Sequence, residues 1–177
     1  MPSKSEHRSS RMGFALIGVT LALLAGPARA EGPKITPSGL EVPRYVSLKY
    51  AEVNARNGPD EAHRLLWIYH AKGLPVQVVA ETREWRRICD PEGGLAWVHK
   101  RTTDGRRSAM RVLPTNLPLL GAPKAGAKVS AYLKGRSVAQ LDKCEKGWCK
   151  LRADGSTGWA KESDIWGADP VVQCRKG

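Results

Sequence analysis

The segment GLPVQVVAETREWRRI at residues 73–88 returns, altered, as GRSVAQLDKCEKGWCKL at 135–151. Gly73 matches Gly135, Val76 matches Val138, Trp85 matches Trp148 and Ile88 matches Leu151. The next stretch returns as well: GGLAWVHK aligns with GSTGWAKE, placing Trp97 on Trp159. Upstream, VNARNGP at 53–59 corresponds to LPLLGAP at 117–123. The period is about 63 residues and each unit runs about 55–60. A unit of that size is near the lower limit for folding alone. The fold must therefore contain one small structure twice.

The pattern within each copy is that of strands. Short β-prone runs are separated by Gly, Pro and Asp, and long amphipathic helical stretches are absent. The runs in the first half are Tyr45–Lys49, Val53–Arg56, Leu65–His70, Pro75–Glu81, Trp85–Cys89 and Leu95–Lys100. Those in the second half are Met110–Leu113, Leu117–Leu119, Val129–Leu133, Ser137–Asp142, Cys149–Arg152 and Gly158–Ala160. Many short strands with frequent turns predict an all-β barrel or sandwich.

The first thirty residues read differently. Lys4, Arg8 and Arg11 precede the apolar run Phe14–Gly26, and Ala28-Arg29-Ala30 follows with small residues at the cleavage positions. This is the layout of a secretory signal, and the run is too short to span a bilayer. Export predicts a periplasmic or secreted protein with no stable membrane span after cleavage. The remaining 147 residues carry 25 basic and 16 acidic side chains, a net charge of +9. On an exported chain such charge favours anionic envelope surfaces over nucleic acid. Residues 31–43, with Pro33, Pro37, Gly39 and Pro43, read as a flexible leader.

Four cysteines in an exported chain suggest disulfides, with three possible pairings. Cys144 and Cys149 bracket EKGW, which reads as a turn, so a bridge across that hairpin is the local choice. Cys89 and Cys174 would then be left to tie the C-terminal tail to the first half. On a chain-entropy basis the short loop stabilises by about 2 kcal/mol and the long one by about 4–5 kcal/mol. No second Cys or His pair stands at a metal-binding spacing, and no metal or cofactor is expected.

The stretch EWRRICDPEGGLAWVH places Cys89, Asp90 and His99 close together. A cysteine nucleophile needs a thiolate beside a histidine, and His63, His70 and His99 are the candidates. The repeat argues for a hairpin, since Arg152 stands at the position of Cys89 and Ala153 at that of Asp90. Asp90 and Glu92, flanking Pro91 and followed by Gly93, read as turn residues rather than paired catalytic carboxylates. HExxH, GxSxG and SxxK motifs are absent.

VNARNGP resembles the Asn-Val-Arg-x-Gly-Pro opening of bacterial SH3-type (SH3b) domains, and GLPVQVV, EWRRI and the closing Gly-x-x-Trp-Val follow in that family's order. The resemblance covers Arg44–Gly167 and extends to secreted Gram-negative proteins with two such domains. Ala55 stands where a larger aliphatic is usual, and LPLLGAP lacks the Asn and Arg. The resemblance implies two tandem small SH3-like β-barrels after a cleaved signal peptide. The expected layout is signal peptide 1–30, leader 31–43, first domain 44–104, second domain 108–168 and tail 169–177. It also implies a non-enzymatic targeting module that recognises a peptidoglycan peptide or a protein segment of the envelope. A structural or protein-interaction component of the envelope is the alternative, and a wall-acting cysteine enzyme is the third reading. The candidate ligand surface is Asn54, Arg56, Trp67, Tyr69 and Trp97. Asn54 and Arg56 come from the family motif. Trp67 and Tyr69 have no clear counterpart beyond Tyr132. The recurring tryptophans read mainly as packing.

Overall fold

The computed structural model describes residues 34–169 together with 171, 173 and 174. The expected signal peptide at 1–30 lies outside the described residues. The protein is all-β, with two large sheets built to one plan and a separate two-stranded sheet. The first sheet contains β3 (Arg44–Leu48), β4 (Val53–Arg56), β5 (Leu65–Tyr69), β6 (Pro75–Glu81), β7 (Trp85–Cys89), β8 (Leu95–His99) and β9 (Thr103–Asp104). Its strand order is β9-β3-β6-β7-β8-β4-β5. The second contains β10 (Ser108–Met110), β11 (Leu117–Leu120), β12 (Val129–Leu133), β13 (Val138–Glu145), β14 (Trp148–Ala153) and β15 (Ser156–Lys161). Its order, β10-β13-β14-β15-β11-β12, repeats the first without a counterpart of β9.

Side-chain alternation explains how each barrel fills. In β4, Val53 and Ala55 are buried while Asn54 is exposed, and in β11 Leu117 and Leu119 are buried while Pro118 is exposed. The two cores are distinct clusters, one around Leu48, Val76, Val78, Ile88 and Val98, the other around Leu119, Leu141, Cys149 and Leu151. Met110 and Val138 of the second sheet pack against the first core and so join them.

The register corrects part of the repeat alignment. Val78 pairs with Ile88 and Leu141 with Leu151, so Val76 is equivalent to Ala139, not Val138. By the same offset, Gly73 is equivalent to Arg136, not Gly135. Gly73 and Arg136 both sit at positive φ, +82° and +56°. Gly135 is glycine for a different reason: a Cβ there would lie 1.9 Å from the Pro114 carbonyl oxygen. Two glycines that look alike in sequence thus answer two different demands, one for a left-handed backbone and one for space.

Residues 34–42 correct another expectation. They are not a flexible leader. β1 (Lys34–Ile35) pairs with β2 (Glu41–Val42), and Val42 joins the first core. The turn between them caps Glu81, whose carboxylate accepts from the Thr36 hydroxyl and from Ser38 N–H at 3.2 Å. Arg44 and Arg86 pair with the same carboxylate, Arg86 Nε at 3.3 Å. The Glu81 side chain is fully inaccessible. Composition around 31–43 carries no sign of a partner forty residues away.

The tail is tied down. Buried Gln77 donates from Nε2 to the Val171 carbonyl at 2.8 Å, and its Oε1 accepts from Gln173 N–H at 2.9 Å. Cys174 is bridged to Cys89, and Cys144 to Cys149. The second bridge spans a two-residue turn with Lys146 and Gly147 at positive φ, the backbone that closes a tight hairpin.

Two predictions follow from these ties. Burial alone would raise the Glu81 carboxyl, but hydrogen bonds from Ser38 and Thr36 and the Arg44 guanidinium outweigh it and lower the pKa from 4.5 to about 2. Stability from this group is present above pH 4.5 and is lost as pH falls toward 2. Urea midpoints across that window should fall more steeply for the wild type than for Glu81→Gln, which has no proton to gain. The Cys89→Ser, Cys174→Ser double variant should lose about 2–5 kcal/mol by urea unfolding. It should also expose the amide of Gln77 to faster hydrogen exchange.

Candidate functional site

The hairpin that carries Cys89, Asp90 and His99 resolves into three structural roles. The Cys89 sulfur is bonded to Cys174. Asp90 organises the turn between β7 and β8, its Oδ1 accepting from Glu92 N–H at 2.9 Å and Gly94 N–H at 2.8 Å. His99 ends β8 and caps the short 3-10 turn Lys100–Thr102, its Nδ1 accepting from Arg101 N–H at 3.2 Å. Its ring lies 5.2 Å from that of Trp85, the residue directly across the ladder.

The five candidate ligand residues divide into two groups. Trp67 pairs with buried Ala55 and Tyr69 with buried Val53, which puts both on the inward side of β5. Their rings meet edge to face at 5.9 Å. The Tyr69 hydroxyl donates to Asp90 Oδ2 at 2.8 Å and so braces the hairpin turn. Burial, and then the Asp90 carboxylate, push the Tyr69 phenol far above its ordinary range. Asn54, Arg56 and Trp97 face outward on β4 and β8, with Trp97 directly across from Arg56 on one side and Arg87 on the other.

Asn54 and Arg56 enter a cleft of about 250 Å³ on the first barrel. The rings of Trp85 and His99 form one part of its lining, and Glu52, Glu61, Arg101 and Thr102 complete the polar part. Arg56 donates from Nη1 to the His63 carbonyl at 2.8 Å, fixing the loop 57–64 beside the cleft. That loop is tight: a Cβ on Gly58 would lie 2.4 Å from the His63 ring. Arg101 Nη2 lies 3.9 Å from Glu61 Oε1, both largely exposed. The cleft therefore offers two guanidinium groups and two carboxylates beside an aromatic pair. Among the described residues no group of three His, Cys, Asp or Glu side chains stands close enough to hold a metal ion.

Sequence reasoning missed Trp85, Arg101, Glu52 and Glu61 as members of this cleft. The available signal was the ladder itself: a two-residue period puts Trp85, Arg87 and Cys89 on one face of β7, opposite His99, Trp97 and Leu95 on β8.

Residues 49–105 and 114–167 each match the bacterial SH3 domain family. The chain belongs to this family. Bacterial SH3 domains are generally cell-wall binding modules, found in extracellular or cell-envelope proteins. No curated protein matches the chain. Among solved structures it is similar to NlpC2 from Trichomonas vaginalis, at 14% identity and a TM-score of 0.33, covering 70% of this chain and 48% of that one. It is also similar to NlpC1 from Trichomonas vaginalis, at 15% identity and a TM-score of 0.33, covering 79% and 51%. The chain thus spans about half the length of either. Among the described residues no helix is long and apolar enough to cross a membrane.

If Tyr69 is a brace, removing its hydroxyl should act on stability. Tyr69→Phe should lose about 1.5–3 kcal/mol, the range for a hydrogen bond to a charged group. A shifted urea midpoint with an unchanged slope would show this, and full stability would place the hydroxyl elsewhere.

Proposed function

We propose that the protein is a non-enzymatic module of the bacterial periplasm that binds a peptidoglycan stem peptide through the outward face of its first barrel. One observation carries this reading. The cleft that gathers Asn54 and Arg56 with Arg101, Glu52 and Glu61 exists where the first copy departs from the second, which has Pro118 and Leu120 at the equivalent positions. A stem peptide carries carboxylates and a free amine. Guanidinium forks take the carboxylates, and Glu52 and Glu61 suit the amine. Trp97, across from Arg56, supplies an aromatic border on which peptide planes pack. The Cys89–Cys174 bridge leaves no thiolate for cysteine chemistry at the hairpin, which supports binding over catalysis.

The same cleft sits on a strongly basic chain, with a net charge of +9 over residues 31–177. Loss of binding must therefore be separated from loss of general attraction. Purified sacculi should retain the protein at physiological salt. The Asn54→Ala, Arg101→Ala double variant should be retained about tenfold more weakly, the equivalent of one or two charge-assisted hydrogen bonds. Arg136→Ala, on the second barrel, should change nothing. Absence of retention, or equal loss in both variants, would defeat the proposal.

A further inference from the structure

A second cleft, of about 940 Å³, opens between the two barrels and is closed on one side by the tail, through Asp169 and Gln173. Its size is within the usual range for small-molecule sites, about 300–1,000 Å³. Three aromatic side chains line it: Tyr45 from β3, Trp148 from the start of β14, and Trp166 from the segment after β15. Tyr45 and Trp166 meet edge to face at 5.0 Å and 83°. Neither residue recurs. Ser108 stands at the position of Tyr45, and Asp104 at that of Trp166. The cleft therefore belongs to the tandem arrangement and to neither copy alone.

The polar groups along this lining are mixed. The Tyr45 hydroxyl is buried with no hydrogen-bond partner among the described residues. Burial, then the charge of Asp169, push its pKa up to about 12, so it stays protonated, and its oxygen lies behind the surface of the cleft. Lys161, exposed and directly across from Trp148, supplies a donor, while Glu162 and Asp169 add acceptors. Arg111 is already engaged, donating to the Asp164 carbonyl at 3.0 Å and to the Thr115 carbonyl at 3.2 Å. The charges nearly cancel, so a strongly anionic ligand gains little here despite the basic chain. Aromatic walls combined with interleaved donors and acceptors suit a molecule with apolar C–H faces and many hydroxyl groups.

We infer that this cleft between the barrels is a saccharide site. The commitment to an N-acetylated amino sugar, whose amide N–H would meet Glu162 or Asp169, rests on the wall-binding reading above; the saccharide class rests on the cleft itself. The protein would then read two parts of one polymer, peptide on the first barrel and glycan at the seam.

Chitotetraose is the probe, with maltotetraose and a stem tripeptide as comparisons, each titrated into the purified protein and followed by indole signals in nitrogen-edited proton spectra. Chitotetraose should move the Trp148 and Trp166 indoles and leave Trp85 in place. Lys161→Met, which removes the exposed donor beside Trp148, should weaken this binding about tenfold, the equivalent of one hydrogen bond. Trp148→Ala should reduce it further. No movement of those indoles, or equal affinity in wild type and both variants, overturns the inference. If chitotetraose fails while sacculi still retain the protein, the saccharide site falls and the peptide reading stands. If the tetramer binds while Asn54→Ala, Arg101→Ala leaves retention intact, the peptide reading falls and the saccharide site stands. Binding of maltotetraose with equal affinity overturns the amino-sugar assignment.

Discussion

A β-barrel of about sixty residues buries only about 60% of the surface its unfolded chain exposes, so it has little stability to spare. Everything distinctive in this structure adds burial or restraint to two units at that limit. The barrels lean on each other, with Met110 and Val138 of the second completing the core of the first. At the seam the Ser47 and Ser108 hydroxyls lie 2.7 Å apart, out of solvent, and reach the carbonyls of Arg106 and Gly73. Arg107 packs over the Tyr45 ring and donates to the Gly167 carbonyl at 2.8 Å. The N-terminal hairpin covers Glu81, and the tail satisfies Gln77 before it is locked by a disulfide. The segments that flank the two sheets thus add burial and restraint to them.

That economy explains which features could be read from the sequence. Eleven of the strands from Arg44 onward were legible, because period-two alternation and turn residues are local signals, whereas the run read at Met110–Leu113 is β10 at Ser108–Met110 and the short β9 was not read. Both cysteine pairs were legible in outline, one from a turn and the other by elimination. The leader was not, because its order comes from Glu81, far along the chain. Gly135 was misplaced because a glycine shows that a side chain is excluded, and not whether φ or a neighbouring carbonyl excludes it.

The site was legible only in part, for a related reason. The repeat invited a simple rule: what recurs is scaffold, and what does not is contact. Tyr69 breaks the rule in one direction. It has no aromatic counterpart, since Leu133 stands at its position, yet its hydroxyl serves the turn of its own barrel. Its role follows from the length of that turn, where Asp90 takes the place of Ala153 and carries more backbone donors than a two-residue turn would offer. Trp85 and Trp148 break it in the other direction. They recur at one ladder position, and each lines a cleft. Recurrence marks a shared position in the ladder, and such a position can serve packing on one side of a ring and solvent on the other.

The divergence between copies is then best read by what surrounds each tryptophan. Around Trp85 stand His99, Arg101 and the loop held by Arg56, all from the first barrel, so that cleft is complete within one unit. Around Trp148 stand Lys161 and Glu162 from its own barrel, but Tyr45 comes from the other barrel and Gln173 from the tail. One position in the fold has therefore become two surfaces, one set by substitutions within a copy and the other by packing two copies together. The second surface cannot be made by a lone barrel of this sequence, however stable. The seam that adds stability to two marginal units is thus also what creates the larger cleft, so residues such as Tyr45 and Trp166 both pack and line it.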